Sequence, residues 1–90
     1  MDFRYDPRKA QTNWQKHKVS FAEAEYVFFD PLAIHDIDPD SFGEERFIAV
    51  GVGNSGSLLV VVYTMRSDVI RLISARRATR QEAKVYEEGI

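Results

Sequence analysis

The chain has 90 residues, 44% of them hydrophobic and 29% charged, with 12 Lys and Arg against 14 Asp and Glu for a net charge of −2, and no cysteine. That length holds one core and not two, and so small a domain is only marginally stable alone, which leaves room for a partner. The missing cysteines exclude disulfides, thiolate zinc sites and cysteine nucleophiles.

In chain order, Phe3-Arg4-Tyr5 alternates as a short strand. Asp6-Pro7 reads as an N-cap followed by proline at the first helical position, and Ala10, Trp14 and His17 then recur on one helix face. Ser20 and Glu23 fit a capping box for a second helix whose buried face is Phe21, Ala24, Val27 and Phe28 and which Asp30-Pro31 stops. Leu32 to Ile37 is a weak strand, and Asp38 to Gly43 a polar loop. Strands follow over Glu45–Val52, Leu58–Met65 and Val69–Ala75, joined by a hairpin turn at Gly53-Asn54-Ser55-Gly56 and a tight connection at Ser67-Asp68. Leu58–Met65 is the most apolar and is expected at the centre of the sheet. Thr79 and Glu82 form a second capping box, opening a last helix through about Glu88. The order β-α-α-β-β-β-β-α predicts a single α+β domain over residues 1–90, a mainly antiparallel sheet packed with helices. Leu58 to Tyr63 is far too short an apolar run to span a membrane, and Met1 to Pro7 lacks the apolar stretch of a signal peptide, so a soluble cytoplasmic protein with no membrane contact is expected.

Charge is sorted along the chain. Residues 1–18 carry Arg4, Arg8, Lys9, Lys16 and Lys18 against Asp2 and Asp6. Residues 19–45 carry eight carboxylates and no Lys or Arg, and residues 46–84 carry Arg46, Arg66, Arg71, Arg76, Arg77, Arg80 and Lys84 against Asp68 and Glu82. Arginine dominates the last block, and its planar fork suits phosphate. A basic face on an acidic chain is compatible with RNA contact.

The joint at Arg76, Arg77 and Arg80 is the first candidate site. A helix begins there, and a helix N-terminus favours an anion; the plainer alternative is that these arginines pair with Glu82 or with the acidic segment. Arg71 is expected to share a strand face with Ile73 and Ala75, opposite Ile70 and Leu72, and Arg46 and Arg66 end neighbouring strands that can converge on that face. Clustered arginines supply the positive charge that metal-free phosphoryl transfer needs. His17 is either a packed histidine or a proton carrier. Glu45 is either a surface ion pair or a base for a 2′-hydroxyl. Asp36-x-Asp38-x-Asp40 has the opening of a calcium loop, but Ser41 replaces the required glycine and Phe47 the bidentate glutamate. With two histidines and no cysteine there is no convincing transition-metal set either, so no metal or cofactor is expected.

Tyr5-Asp6-Pro7-x-Lys9-Ala10, Asn13-x-x-Lys16-His17-x-Val19-Ser20-Phe21-x-Glu23-Ala24, Phe28-x-Asp30-Pro31, Gly43-Glu44-Glu45-Arg46 and Ile73-Ser74-Ala75-Arg76-Arg77-Ala78, in this order and spacing, resemble the BrnT family of toxins. The resemblance implies a RelE-like fold and an endoribonuclease that stops translation. It also implies a neighbouring BrnA-type antitoxin, a ribbon-helix-helix protein through which the hetero-oligomer would reach operator DNA. On this resemblance the catalytic positions are His17, Glu45, Arg46, Arg66, Arg76 and Arg77. RNA binding falls to Lys16, Arg71, Arg80 and Tyr63, the last standing where the family often has an aromatic residue or histidine. Lys18 and Tyr5 depart from the pattern, which commonly has glycine and tryptophan there. The reading from another class is a module without catalysis, its arginine face docking an acidic protein or holding RNA uncut.

Overall fold

A computed structural model describes residues 1–89. Five strands and three α-helices follow in the expected order. They are β1 (Asp2–Arg4), α1 (Pro7–His17), α2 (Phe21–Glu25), which continues into a 3₁₀ turn (Tyr26–Phe29), β2 (Ile34–Ile37), β3 (Phe47–Val52), β4 (Leu58–Arg66), β5 (Val69–Arg77) and α3 (Arg80–Glu88). The sheet order is β1-β5-β4-β3-β2, so the apolar β4 is central. The pairs β2–β3, β3–β4 and β4–β5 are antiparallel, and β1 joins β5 in parallel. This is the α+β architecture expected from the sequence.

The local signals act as their chemistry requires. Asp6 caps α1 by accepting from the Arg8 N–H at 2.8 Å, with Pro7 as the first helical residue. Ser20 caps α2 through the Glu23 N–H at 3.0 Å, but the Glu23 carboxylate turns to the Ser55 hydroxyl instead of closing the box. Asp30 stops the 3₁₀ turn and then ties three elements together. It accepts from the Leu32 N–H, from the Val52 N–H of β3 and from the Tyr86 hydroxyl of α3. Burial opposes its charge, yet these hydrogen bonds hold the carboxyl below its ordinary range, and the same bond pushes the Tyr86 hydroxyl up to about 12.

One sheet face lies under α1, α2 and the 3₁₀ turn. There Val19, Phe21, Ala24 and Val27 meet Ala49, Leu59, Val61, Leu72 and Ala75, all buried. The opposite face carries Ile48, Val50, Val60, Val62 and Thr64. Helix α3 crosses part of it, from Arg76 at one end, where Glu82 is bound, to Ile34 at the other, where Gly89 lies close. Val60 is buried, while Ile48, Val62 and Ser74 stay half-exposed.

The fold departs from the expected pattern at two places, one on α1 and one on β5. Of the expected inner face of α1, Ala10 packs on the core and His17 is half-buried, but Trp14 turns away. Trp14 is 50% exposed, with the Lys18 ammonium 5.8 Å from the ring centroid, and the buried residue is Asn13. Strand β1 pairs only with Val69–Arg71, which leaves the outer edge of β5 bare beyond that point. Asn13 fills that edge. Its Oδ1 accepts from the Ala75 N–H at 2.9 Å, and its Nδ2 donates to the Ala75 carbonyl at 2.8 Å and to the Val19 carbonyl at 2.9 Å. One amide side chain thus makes the bonds that a further residue of β1 would have made. Lys18 then closes α1 with φ of 57°, left-handed backbone in which glycine is unstrained. The glycine that the resemblance expects here would adopt this backbone without strain.

On β5 the departure is a β-bulge. Ser74 pairs with Val62 and Leu72 with Tyr63, so Ile73 is the extra residue. Arg71 therefore does not share a face with Ala75. Ile70, Leu72 and Ala75 point to the core, and Arg71, Ser74 and Arg76 point to the other face.

Replacing Asn13 strands the Ala75 N–H, the Ala75 carbonyl and the Val19 carbonyl in a dry setting, at about 1–3 kcal/mol for each buried group left unpaired. Asn13→Ala is expected to lower the unfolding free energy by about 3 kcal/mol in urea titrations. Thr12→Ala, one residue away on the exposed side, should stay within about 0.5 kcal/mol of wild type. Equal midpoints for the two variants would remove Asn13 from this role.

Candidate active site

The seam between α1 and the bulged part of β5 is a groove with two lobes. In the first lobe, of about 310 Å³, Arg8, Lys9, Thr12, Lys16 and His17 of α1 face Ile73 and Ser74. The second, of about 280 Å³, lies between Thr64 and Ile73 on the sheet and Phe42, Glu44 and Arg46 of the loop before β3. Lys9 and Ile73 line both lobes, so they form one groove. The α1 residues reach it because Lys9, Thr12 and Lys16 recur at helical spacing on one side of a helix that Asn13 fixes against β5.

The charges in the groove are partly committed. Arg66 Nε donates to Glu44 Oε2 at 2.7 Å. This bond, with Arg71 adding its field, holds the Glu44 carboxyl below its ordinary range, so Glu44 is a carboxylate at neutral pH. Arg46 is steadied from behind, its Nη2 3.4 Å from Asp38 Oδ2 and 3.2 Å from the Asp40 carbonyl. Asp38 is buried and also accepts from the Asp40 N–H at 2.9 Å. The loop that opened like a calcium motif is a latch for Arg46. Two buried polar atoms, Arg46 Nε and Thr64 Oγ1, have no hydrogen-bond partner among the described residues.

A family model described as "Ribonuclease toxin, BrnT, of type II toxin-antitoxin system" matches residues 5–82, which hold the whole groove. The chain belongs to the BrnT family. Among solved structures, the crystal structure of the Brucella abortus ribonuclease toxin, BrnT, is similar at a TM-score of 0.65 and 26% sequence identity, covering 89% of this chain and 99% of that one. Comparison with curated protein sequences gives no match. As a BrnT-family member the chain is a ribonuclease toxin of a toxin-antitoxin system, so RNA is its substrate class and an antitoxin its partner. Among the described residues no helix is long and apolar enough to cross a membrane.

The BrnT fold gathers some of the expected site residues and disperses others. Lys16 and His17 line the first lobe and Arg46 the second. Arg66 and Arg71 stand on the same sheet face, Arg66 bonded to the lobe's Glu44 and Arg71 contributing to its field. Glu45 is exposed and lines neither lobe, where its neighbour Glu44 stands instead. Arg77 pairs with Leu59 on the opposite face, and Arg80 opens α3 beside Gln81 and Lys84. Tyr63 also points to the covered face. It is 5% exposed, packed against Phe28 and Phe47, with its hydroxyl 2.8 Å from His35 Nδ1. A ring sealed in the core does not stack on RNA, so the expectation that Tyr63 faces the substrate does not hold in this fold. Burial raises the Tyr63 hydroxyl and lowers the His35 imidazole, which keeps that pair neutral.

The arginine joint is reorganised too. Strand β5 runs through Arg77, and Arg76 reaches both oxygens of Glu82 at 2.8 Å. Glu82 also accepts from the Thr79 N–H at 2.8 Å, and Thr79 Oγ1 accepts from the Glu82 N–H. The anion at this helix N-terminus is the protein's own carboxylate, the plainer of the two alternatives for Arg76. The groove also contains Arg8, Lys9, Phe42, Thr64 and Ser74, which the sequence does not single out. The i, i+3, i+7 spacing of Lys9, Thr12 and Lys16 marks the first lobe, while Thr64 and Ser74 carry no such signal, since their meaning depends on the register.

Hydrogen bonds from Arg76 outweigh the burial that opposes them and, with the Thr79 N–H, hold the Glu82 carboxyl at about 2 against an ordinary 4.5. A carboxyl depressed on folding stabilises fully above its unfolded value and loses that contribution as pH falls. Both side chains are partly exposed, 40% for Arg76 and 31% for Glu82, so solvent screening trims the effect to about 1 kcal/mol. Wild type should therefore lose about 1 kcal/mol more than Glu82→Gln between pH 5 and pH 2 in denaturant titrations. Parallel losses across that window would show that the pair is not coupled to folding.

Proposed function

We propose that this toxin cuts RNA without a metal ion, by attack of a ribose 2′-oxygen on the adjacent phosphorus. The observation that carries this reading is the groove itself, which sets the His17 imidazole and the Lys9, Lys16 and Arg46 cations along two small connected lobes. In this chemistry the 2′-hydroxyl loses its proton, the O2′–P bond forms, the P–O5′ bond breaks and O5′ takes up a proton. The products are a 2′,3′-cyclic phosphate and a free 5′-hydroxyl. Negative charge grows on the phosphoryl oxygens at the transition state, and fixed cations at the groove stabilise it as a metal ion otherwise would. Arg46, with Lys16, Arg66 and Arg71, supplies that charge, while His17 moves a proton, since an imidazole carries one ring nitrogen that accepts and one that donates.

A BrnA-type ribbon-helix-helix antitoxin is the proposed partner, and operator DNA is reached through it. The charge of −2 on this chain offers DNA little attraction of its own.

Purified toxin is expected to cleave RNA in EDTA at the rate seen without it. His17→Ala should lose about 10²–10⁴-fold in cleavage rate with an unchanged melting temperature. Lys16→Ala should instead weaken RNA binding and reduce the slope of log affinity against log salt by about 0.7. RNA left intact by the wild type, with no growth arrest on expression, would favour the non-catalytic module. Cleavage abolished by EDTA and restored by a divalent cation would overturn the metal-free route, and full-rate cleavage by His17→Ala would remove the imidazole from it.

A further inference from the structure

Two features of the second lobe have no account in the fold. The first is Thr64. Strand β4 reads Leu58-Leu59-Val60-Val61-Val62-Tyr63-Thr64, and valine, which has the same shape and the higher strand preference, would fill position 64 without a polar atom. Thr64 is 3% exposed, and its Oγ1 has no partner among the described residues. A buried hydroxyl without a partner costs stability on the scale of a lost hydrogen bond. Beside it in the same lobe, the buried Arg46 Nε–H is likewise unpaired, although the Nη2 end of the guanidinium is held by Asp38 and the Asp40 carbonyl. The arginine is therefore held at Nη2, and Nε–H is its one buried donor left without a partner. Lys9 is the second cation of the lobe, and the lobe's carboxylate, Glu44, is engaged by Arg66.

The second feature is Phe42. It lines the lobe from the loop and is 99% exposed, so its ring has no packing role. An exposed aromatic face beside unpaired donors and cations has the chemistry of a nucleotide site. The donors and cations take phosphate oxygens, and the ring takes the face of a base.

We propose that the second lobe seats one nucleotide of the RNA, with a phosphate on Arg46 Nε, Thr64 Oγ1 and Lys9 and the base stacked on Phe42. This rests on the ribonuclease reading and adds a binding residue from the loop and one from the sheet. Arg46, fixed from behind by Asp38, positions the phosphate. Phe42 selects no particular base, because every base offers a π-face, so the lobe adds affinity and register rather than sequence preference.

The test uses a fluorescent 2′-O-methyl oligoribonucleotide, which lacks the attacking hydroxyl, with binding read by anisotropy and cleavage of the matching RNA read separately. Phe42→Ala and Phe42→Leu should each weaken binding about tenfold, with Phe42→Tyr close to wild type, as base stacking on an aromatic ring requires. Thr64→Val should weaken binding by a similar factor while melting no lower than wild type, and Thr64→Ser should restore it. Wild-type cleavage together with unchanged affinity in Phe42→Ala and Thr64→Val would overturn the nucleotide seat and leave the ribonuclease reading standing. Wild type that neither binds nor cleaves would overturn both. Phe42→Ala that keeps its RNA affinity but loses the antitoxin would overturn the seat and give the loop to a protein interface.

Discussion

The bare edge of β5 is the constraint on which the rest of the molecule depends. Strand β1 is three residues long and pairs with only the first part of β5, so the N–H and carbonyl of Ala75 must find partners elsewhere or be left dry. The Asn13 side chain supplies both, and its second donor proton goes to the Val19 carbonyl at the start of the next helix. Helix α1 is thereby set beside the sheet in one register, and α2 is set relative to α1. Everything the first lobe contains depends on that register. Lys9, Thr12 and Lys16 look along β5 because Asn13 looks into it. An apolar residue at position 13 would fill the space and leave the edge unpaired, so packing alone does not place the helix.

The bulge at Ile73 does for the strand what Asn13 does for the helix. In a regular strand, residues five apart lie on opposite faces, and Arg71 and Arg76 are five apart. The extra residue returns them to one face, together with Ser74, while Leu72 and Ala75 both stay in the core. It also turns Ile73 into the groove, where it is the apolar ridge common to the two lobes. Presenting Arg71 and Arg76, five residues apart, on one face takes such a break in alternation, and bulges are common beside active sites.

What is legible in the sequence divides along the same line. Elements that announce themselves within four or five residues are readable: Asp6-Pro7, the Ser20 N-cap, the Gly53–Gly56 turn, the Thr79 and Glu82 box, and the apolar run of β4. So is the convergence of Arg46 and Arg66, because both sit at strand ends. Asn13 is not readable as a strand surrogate, since its partner is 62 residues away and an asparagine in a helix ordinarily points to water. Arg71 is misplaced by simple alternation because a bulge leaves no mark in a run such as Val69-Ile70-Arg71-Leu72-Ile73. Alternation in a central strand does not say which face is covered, and only the register with Phe47 and Leu72 turns Tyr63 inward. The capping box is legible at the arginine joint, but its consequence for Arg76 is not. A box that places Glu82 over the helix start also places it within reach of an arginine six residues earlier.

The sorting of charge into blocks has a structural purpose beyond the net value. Two acids of the stretch before β3, Asp38 and Glu44, hold arginines of the basic face in position. Asp38 and the Asp40 carbonyl grip one end of Arg46, and Glu44 grips Arg66, while Glu82 of α3 grips Arg76 in the same way. Each arginine is a long, flexible side chain, and fixing it when a phosphate arrives would cost rotamer entropy at that moment. Carboxylates that already hold the guanidinium lower that cost in advance. For Arg46 the hold is at Nη2 and leaves the buried Nε without a partner among the described residues. For Arg76 the hold takes both terminal nitrogens and leaves little to offer. The same acid–arginine pairing therefore leaves one arginine with a buried donor unpaired and occupies both terminal nitrogens of another, and the difference lies in which nitrogens the carboxylate takes.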